Sequence, residues 1–250
     1  MKTKDLVEYL NKILRIGEID DRSLNGLQLD NSGNVTRVAL AVDACQDSFL
    51  RAAEMKADFL LVHHGLFWSD PVAITGELYS RIKILIEADI ALYAAHLPLD
   101  LHPELGNNAQ IGEILGWPVS GDFGEYHGVV IGREVEFDTL VALSDIVDQI
   151  REKLKCEPEV WGFGPEYIKK MCYVSGGGLS LLNQAIDRGM DMFFTGEPGH
   201  SSYWSAKEAK INVVFGGHYA TETLGVKAVG REIEKKFGLE VEFIDLPTGH

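Results

Sequence analysis

The strongest constraint on the fold of this chain is a pattern that occurs twice along it. Residues 37–65 (RVALAVDACQDSFLRAAEMKADFLLVHHG) align without a gap with residues 170–198 (KMCYVSGGGLSLLNQAIDRGMDMFFTGEP). Each copy contains an apolar run typical of a strand, a turn, an amphipathic helix, an aspartate and a second apolar run. A strand–helix–strand unit of this kind normally joins parallel strands through a right-handed crossover.

The segments that follow are also similar to each other. Residues 91–100 (ALYAAHLPLD) align with residues 213–222 (VVFGGHYATE), and both place a histidine four residues before a carboxylate. The sequence therefore predicts an α/β protein made of two similar layered α/β units that are related by an internal repeat.

The boundary between these units is expected in the glycine-rich and charged stretch GDFGEYHG at 121–128, where the pattern is interrupted. The first unit would then comprise residues 1–125 and the second residues 126–250. Residues 129–160 predict a further strand, helix and strand that have no counterpart in the first half.

Composition excludes several classes of protein. The net charge of −15 and the pI of about 4.9 argue against a general basic surface for nucleic acid or an anionic membrane. We expect no secretory signal, because charged and apolar residues alternate at the amino terminus. We also expect no membrane span, since no apolar run approaches the roughly 20 residues needed. The three cysteines lack a CxxC spacing, so we expect buried apolar thiols and a cytoplasmic location.

Histidine and carboxylate side chains follow the apolar runs. In open α/β sheets, ligands collect outside the carboxyl ends of the parallel strands, so these side chains are expected at one pole. They are His63, His64, His96, Asp100, Glu197, His200, His218 and Glu222. Imidazole and carboxylate without thiolate suit zinc, iron, manganese, cobalt or nickel.

The adjacent histidines at the end of FLLVHHG need a local explanation, because neighbouring side chains in mid-strand point to opposite faces. Gly65 ends this strand, and a turn there would let His63 and His64 converge on two metal ions a few ångströms apart. In GGHYATE we predict a first helical turn, which places His218 and Glu222 on one face. The HLPLD segment contains proline, and we predict an irregular loop there.

Three other features have two interpretations each. The SGGG segment (175–178) could bind an anion, but it lacks the spacing of nucleotide-binding loops, which favours a simple tight turn. Asn25 and Gln28 of NGLQLD either face a ligand or belong to a structural turn. Trp68 could stack on a planar ring or belong to the core or a subunit interface.

Several motifs occur together in one order: NGLQ, LLVHHG followed by FW, YAAHLPLDLHPELGNNAQIG, SGGG, TGE and GGHYATE. With these motifs the chain resembles the Ngg1-interacting-factor-3-like family, close to its YbgI-type bacterial members, which are labelled homologues of type 2 GTP cyclohydrolase. The resemblance covers essentially the whole chain.

The resemblance implies a two-domain α/β protomer that assembles into a toroidal homohexamer, with a dinuclear metal site between the two units. It implies two divalent metal ions, each zinc, iron, manganese, cobalt or nickel. The implied ligands, with Glu222 as the bridging residue, are His63, His64, Asp100, His218 and Glu222.

The implied function is that of a metal-dependent hydrolase that opens a purine nucleotide ring with metal-bound hydroxide. Its partner would be a small, nucleotide-like substrate, and His96 or His200 would transfer the proton. The alternative is a metal-binding interaction, regulatory or metal-insertion module without turnover. A ring that encircles DNA is disfavoured by the negative charge of the chain.

Overall fold

Parallel strands joined by helices occupy the centre of both sheets in the computed structural model, which describes residues 1–249. The strands are β1 (Gly26–Leu29), β2 (Arg37–Asp43), β3 (Phe59–His64), β4 (Ala91–Ala94), β5 (Val119–Tyr126), β6 (Val129–Ala142), β7 (Glu159–Trp161), β8 (Tyr167–Tyr173), β9 (Met192–Thr195), β10 (Asn212–Phe215) and β11 (Glu240–Phe243). The α-helices are α1 (Thr3–Ile13), α2 (Gln46–Glu54), α3 (Gly76–Glu87), α4 (Leu97–Asp100), α5 (Asn107–Leu115), α6 (Leu143–Leu154), α7 (Leu182–Asp187), α8 (His200–Ala209) and α9 (His218–Phe237). A 3₁₀ turn at Gly178–Leu181 precedes α7.

The chain divides into two units. The first consists of Met1–Leu105 and Gly225–Leu246, and the second consists of Gly106–Leu224 and the carboxyl-terminal residues from Pro247 onward. This division differs from the predicted units 1–125 and 126–250, because the chain returns to the first unit within α9.

The predicted boundary at GDFGEYHG is the first strand of a hairpin in the second unit. Strands β5 and β6 pair antiparallel, and both residues of the connecting turn, His127 and Gly128, have positive φ. Two successive positive φ values match the right-handed twist of the flanking strands, and they explain the glycine at the second turn position. The glycines and charged residues of this stretch therefore belong to a β-hairpin and do not mark a boundary between units.

In the first unit the sheet order is β1-β4-β3-β2-β11, with β4, β3, β2 and β11 parallel and β1 antiparallel at the edge. Both faces are covered by helices, so alternate residues of β3 belong to different cores. Phe59 and Leu61 pack in the cluster that contains residues of α1 and α9, while Leu60 and Val62 pack in the cluster with α2 and α3. Burial on both faces explains the continuous apolar run of this strand.

In the second unit the sheet order is β5-β6-β8-β9-β10-β7, with β8, β9 and β10 parallel. Helix α6 packs Ile146 and Ile150 into the same core as Met171 and Phe194 of the sheet. The strand, helix and strand predicted within 129–160 are confirmed as β6, α6 and β7.

An aspartate just before the second parallel strand makes the same kind of hydrogen bonds in both units. Asp58 Oδ2 accepts from the backbone N–H groups of Thr36 and Arg37 at 2.6 and 2.9 Å. Asp191 Oδ2 accepts from two consecutive N–H groups of β8 at 2.8 and 2.9 Å. The origin of the two units in an internal repeat stays a prediction, with which these matched bonds are consistent.

Replacing Asp58 with asparagine is expected to lower the free energy of unfolding by about 2 kcal/mol, because the charged acceptor of these hydrogen bonds becomes a neutral and weaker one. Burial alone would raise the pKa of Asp58, but the hydrogen bonds from Thr36 and Arg37 outweigh it and lower the pKa. The contribution is therefore present above about pH 4, the ordinary carboxyl range, and is lost as the pH falls through the lowered folded-state pKa.

Urea unfolding of wild type and Asp58→Asn at pH 7 and at successively lower pH measures this difference. Glu54→Gln, at the exposed end of α2, is the control and should stay within about 0.5 kcal/mol of wild type. A difference between wild type and Asp58→Asn that grows as the pH falls would contradict the expectation.

Two helical turns decide how side chains reach the strand ends. An irregular loop was predicted at HLPLD, but the segment forms the short helix α4. In this helix Asp100 N–H donates to His96 O at 3.1 Å. The prediction was wrong because proline is tolerated in the first turn of a helix, where its missing N–H is not needed. The helical turn predicted at GGHYATE is confirmed, since α9 begins at His218.

Among residues 1–249, none of the helices combines the length and apolar character needed to cross a bilayer. Cys45, Cys156 and Cys172 are free thiols.

Candidate functional site

The two adjacent histidines lie at the carboxyl end of β3, in the first unit. His63 is fully buried and His64 is partly exposed, and their ring centroids are 4.6 Å apart. The predicted convergence of the two rings is confirmed. Gly65 follows directly, and the strand ends there as expected.

The NGLQ motif braces this strand end. Gln28 Oε1 accepts from Leu66 N–H at 2.8 Å, and a Cβ on Gly65 would lie only 2.3 Å from Gln28 Nε2. Asn25 Oδ1 accepts from the backbone N–H of His96 at 2.7 Å. Of the two interpretations of NGLQ, the structural one is supported, because both amide side chains hold the backbone beside the histidines.

A third histidine and a carboxylate join the pair from the end of β4. The His96 ring centroid is 5.1 Å from that of His63 and 5.6 Å from that of His64. One ligand atom from each of the three rings lies within 4.8 Å of the others. Asp100, which is 7% exposed, places Oδ2 3.5 Å from His63 Nε2.

Each of these rings is oriented through its Nδ1 atom, which donates to an oxygen. The pairs are His63 with Ala95 O at 2.9 Å, His64 with Asp43 Oδ1 at 2.9 Å, and His96 with Asp21 Oδ2 at 3.0 Å. A hydrogen bond of this kind fixes the tautomer and raises the basicity of the other ring nitrogen. A metal at this cluster would therefore be held through Nε2.

Asp21 and Asp43 are the supporting residues that sequence analysis missed. Asp43 ends β2 and lies opposite His64 in the parallel register, so strand alignment could have revealed it. Asp21 lies in an irregular segment without periodicity, and no sequence signal marks it. Although burial alone would raise the pKa of Asp21, the hydrogen bond and charge of His96 lower it to about 2.

In the second unit, His218 and Glu222 lie one helical turn apart at the start of α9. His218 Nε2 is 3.1 Å from Glu222 Oε2, and its Nδ1 donates to Glu197 Oε2 at 2.9 Å. Burial alone would lower the pKa of His218, but Glu222 and Glu197 together raise it to about 9. The predicted sharing of one helix face by His218 and Glu222 is confirmed.

The SGGG segment packs directly against this pair. Gly176 has φ +61°, its N–H donates to Thr221 Oγ1 at 3.0 Å, and its carbonyl accepts from Gly196 N–H at 2.8 Å. A Cβ on Gly176 would lie 2.0 Å from Glu222 Oε1, so only glycine fits. Since Gly178 N–H also donates to a protein oxygen, that of Thr195, the tight turn is the supported interpretation.

His200 is the remaining predicted site residue. It is the first residue of α8 and is exposed. Its side chain makes no hydrogen bond or ion pair with any of residues 1–249. Its role in proton transfer stays a prediction.

The chemistry of the donors fits a divalent metal ion. The first unit brings together three imidazoles and a carboxylate, and the second brings together an imidazole and a carboxylate. Nitrogen and oxygen donors without sulfur suit zinc, iron, manganese, cobalt or nickel. These clusters could therefore hold a metal.

Known proteins resemble the chain over its whole length. A sequence model of the family described as Duf34/NIF3 (NGG1p interacting factor 3) matches residues 1–249. A curated protein of Pyrococcus horikoshii named "GTP cyclohydrolase 1 type 2 homolog" is 43% identical over 250 residues, which is 100% of both chains. One of the same name from Archaeoglobus fulgidus is 42% identical, covering 99% of each. The solved structure of protein ybgI, described as of unknown function, is 34% identical with a TM-score of 0.93 and covers 100% of both chains.

Proposed function

Because the chain belongs to the Duf34/NIF3 (NGG1p interacting factor 3) family, we propose that it is a metal-dependent hydrolase that opens the ring of a purine nucleotide. The observation that carries this proposal is the cluster of His63, His64 and His96, whose ligand atoms lie within 4.8 Å of one another. Relatives named as GTP cyclohydrolase homologues support the choice of a purine nucleotide as substrate.

Residues of the first unit would hold one metal ion. His63 and His64 would contribute Nε2, and Asp100, whose Oδ2 is 3.5 Å from His63 Nε2, would contribute a carboxylate oxygen. A bound divalent metal supplies Lewis-acid polarisation and a water molecule of lowered pKa. Asp43 and the Ala95 carbonyl would keep the two rings in the ligating tautomer.

The reaction consumes two water molecules. The first adds to the ring carbon between two nitrogens, and cleavage of one C–N bond then leaves a formamide. The second hydrolyses the formamide to formate and an amine. His96 is suited to moving the protons at Nε2, because Asp21 fixes its tautomer from the opposite side of the ring.

The test is formate release from GTP by metal-reconstituted protein. Wild type is expected to release formate, while His64→Ala and Glu222→Ala should lose both bound metal and activity. His96→Gln should keep most of the metal but lose about 10²- to 10⁴-fold in kcat, as expected for a residue that transfers a proton. Metal-loaded wild type that releases no formate from any purine nucleotide would contradict the proposal and favour a metal-binding module without turnover.

Three finer expectations belong to the same proposal and come from the family resemblance. Glu222 and His218 would complete a dinuclear centre with the ligands of the first unit, which predicts two metal ions per chain by elemental analysis. The protein would form a homohexamer, testable by light scattering. Its location would be cytoplasmic, as its three free thiols suggest.

A further inference from the structure

A cleft of about 400 Å³ opens in the first unit beside the histidine cluster. Its walls come from the segment around Ser23 and from the loop 67–72 that follows β3. Its volume falls in the range of about 300–1,000 Å³ that small-molecule sites occupy. The cleft shares Asp21 with the cluster, and this carboxylate accepts the Nδ1 hydrogen bond of His96.

One wall of the cleft is the indole ring of Trp68. Contacts with the histidine cluster and with the end of β3 fix the position of this ring. Its Nε1–H donates to Gly65 O at 3.2 Å, and its centroid is 5.1 Å from that of His96 in an edge-to-face arrangement. The residue is nevertheless 39% exposed. A fixed and partly exposed aromatic ring is a stacking platform for a planar heterocycle.

The segment around Ser23, which lines the cleft, contains a buried polar group without a hydrogen-bond partner. Ser23 is 6% exposed, and within residues 1–249 its Oγ has no hydrogen-bond partner. A buried hydroxyl without a partner costs free energy, and a heteroatom of a bound ring would relieve that cost.

A cation lies in the wall of the same cleft. Arg22 is exposed, and its guanidinium makes no ion pair with any described residue. Among the residues that line the cleft, which also include Asp21 and Asp70, Arg22 is the one cation, and its guanidinium is suited to pair with a phosphate group.

We propose that this cleft binds the substrate nucleotide, with the base stacked on Trp68, a ring heteroatom bonded to the Ser23 hydroxyl and the phosphates beside Arg22. The assignment rests on the proposed function, because it places the purine ring next to the histidine cluster. It adds three residues that recognise substrate and hold no metal.

The test uses the full-length, metal-loaded protein titrated with GTP and with guanosine, followed by calorimetry and by quenching of tryptophan fluorescence. Trp68→Ala is expected to weaken GTP binding about 5- to 150-fold, the range for loss of base stacking, and to abolish most of the quenching. Trp68→Phe keeps an aromatic face and should weaken binding less than about 5-fold. Trp204→Ala, 57% exposed in the second unit, is the matched control and should bind like wild type.

Two further variants separate the ends of the ligand. Arg22→Ala should weaken GTP binding but leave guanosine binding unchanged, whereas Ser23→Ala should weaken both. Metal content measured on every variant should equal that of wild type, since none of these residues ligates metal.

The proposal is overturned if Trp68→Ala binds GTP as tightly as wild type, or if wild type binds neither GTP nor guanosine. Its failure differs from that of the hydrolase proposal. Binding that depends on Trp68 without formate release would leave the cleft assignment standing and remove the reaction. Formate release by Trp68→Ala with the KM for GTP of wild type would support the reaction and overturn the cleft assignment.

Discussion

Replacing His63 with alanine is expected to weaken the binding of zinc and of cobalt(II) by more than about 100-fold. His63 is fully buried, lies beside two other imidazoles and faces Asp100, so its loss removes one of the three imidazole nitrogens of the cluster. Loss of a supporting residue typically costs 10- to 100-fold in metal affinity, and loss of a ligand should cost more. Calorimetric titration of metal-free protein measures the effect.

Three variants make the result interpretable. His64→Ala removes a partly exposed imidazole that we propose as a ligand, and it should show the same loss without a large cavity in the core. Asp43→Asn removes only the charge behind His64 and should lose about 10- to 100-fold. His127→Asn, in the exposed hairpin turn, should bind metal like wild type. An unchanged affinity in both His63→Ala and His64→Ala would refute the assignment of the cluster as a metal site.

Replacing Gly176 with alanine is expected to lower the free energy of unfolding by about 2 to 4 kcal/mol and to weaken metal binding as well. The added Cβ would lie 2.0 Å from Glu222 Oε1 and 3.2 Å from His218 Nε2. Relief of this overlap requires the carboxylate to move or the SGGG turn to open, and the turn is held by hydrogen bonds to Thr221 and Gly196. Urea unfolding and metal titration measure the two effects.

Gly189→Ala is the matched control. Gly189 has φ +65°, almost the value at Gly176, but nothing lies within 4 Å of the Cβ that alanine would add. Gly189→Ala should therefore lower the free energy of unfolding only by the cost of placing alanine at a positive φ, about 1 kcal/mol. Metal binding should be unchanged. Equal effects of Gly176→Ala and Gly189→Ala would show that the contact with Glu222 is unimportant.

The strands and helices near the site could be predicted because burial on both faces leaves a clear signal. The run FLLV of β3 is apolar throughout. Phe59 and Leu61 pack into the core on one face of the sheet, and Leu60 and Val62 pack into the core on the other. The helical turn at His218 and Glu222 was also predictable, since side chains four residues apart on a helix share a face. At HLPLD the proline concealed a helical turn that brings Asp100 to His63.

What the sequence could not reveal depends on contacts between distant segments. Asp21 is 75 residues from His96 along the chain, and its hydrogen bond to that ring follows from the path of an irregular segment. The extent of the units was missed for a similar reason. Strand β11 pairs with β2, so the first unit is built from both ends of the chain, and a local pattern at 121–128 cannot show this.

This discontinuity has a consequence for synthesis on the ribosome. Gly106–Leu224, which contains every strand of the second sheet, is synthesised before β11, so that sheet can form while the first unit still lacks its last strand. Until then β2 has an unpaired edge that can join strands of other chains. The order of translation therefore places the period of greatest aggregation risk in the first unit, and that risk ends only when the last residues of its sheet are made.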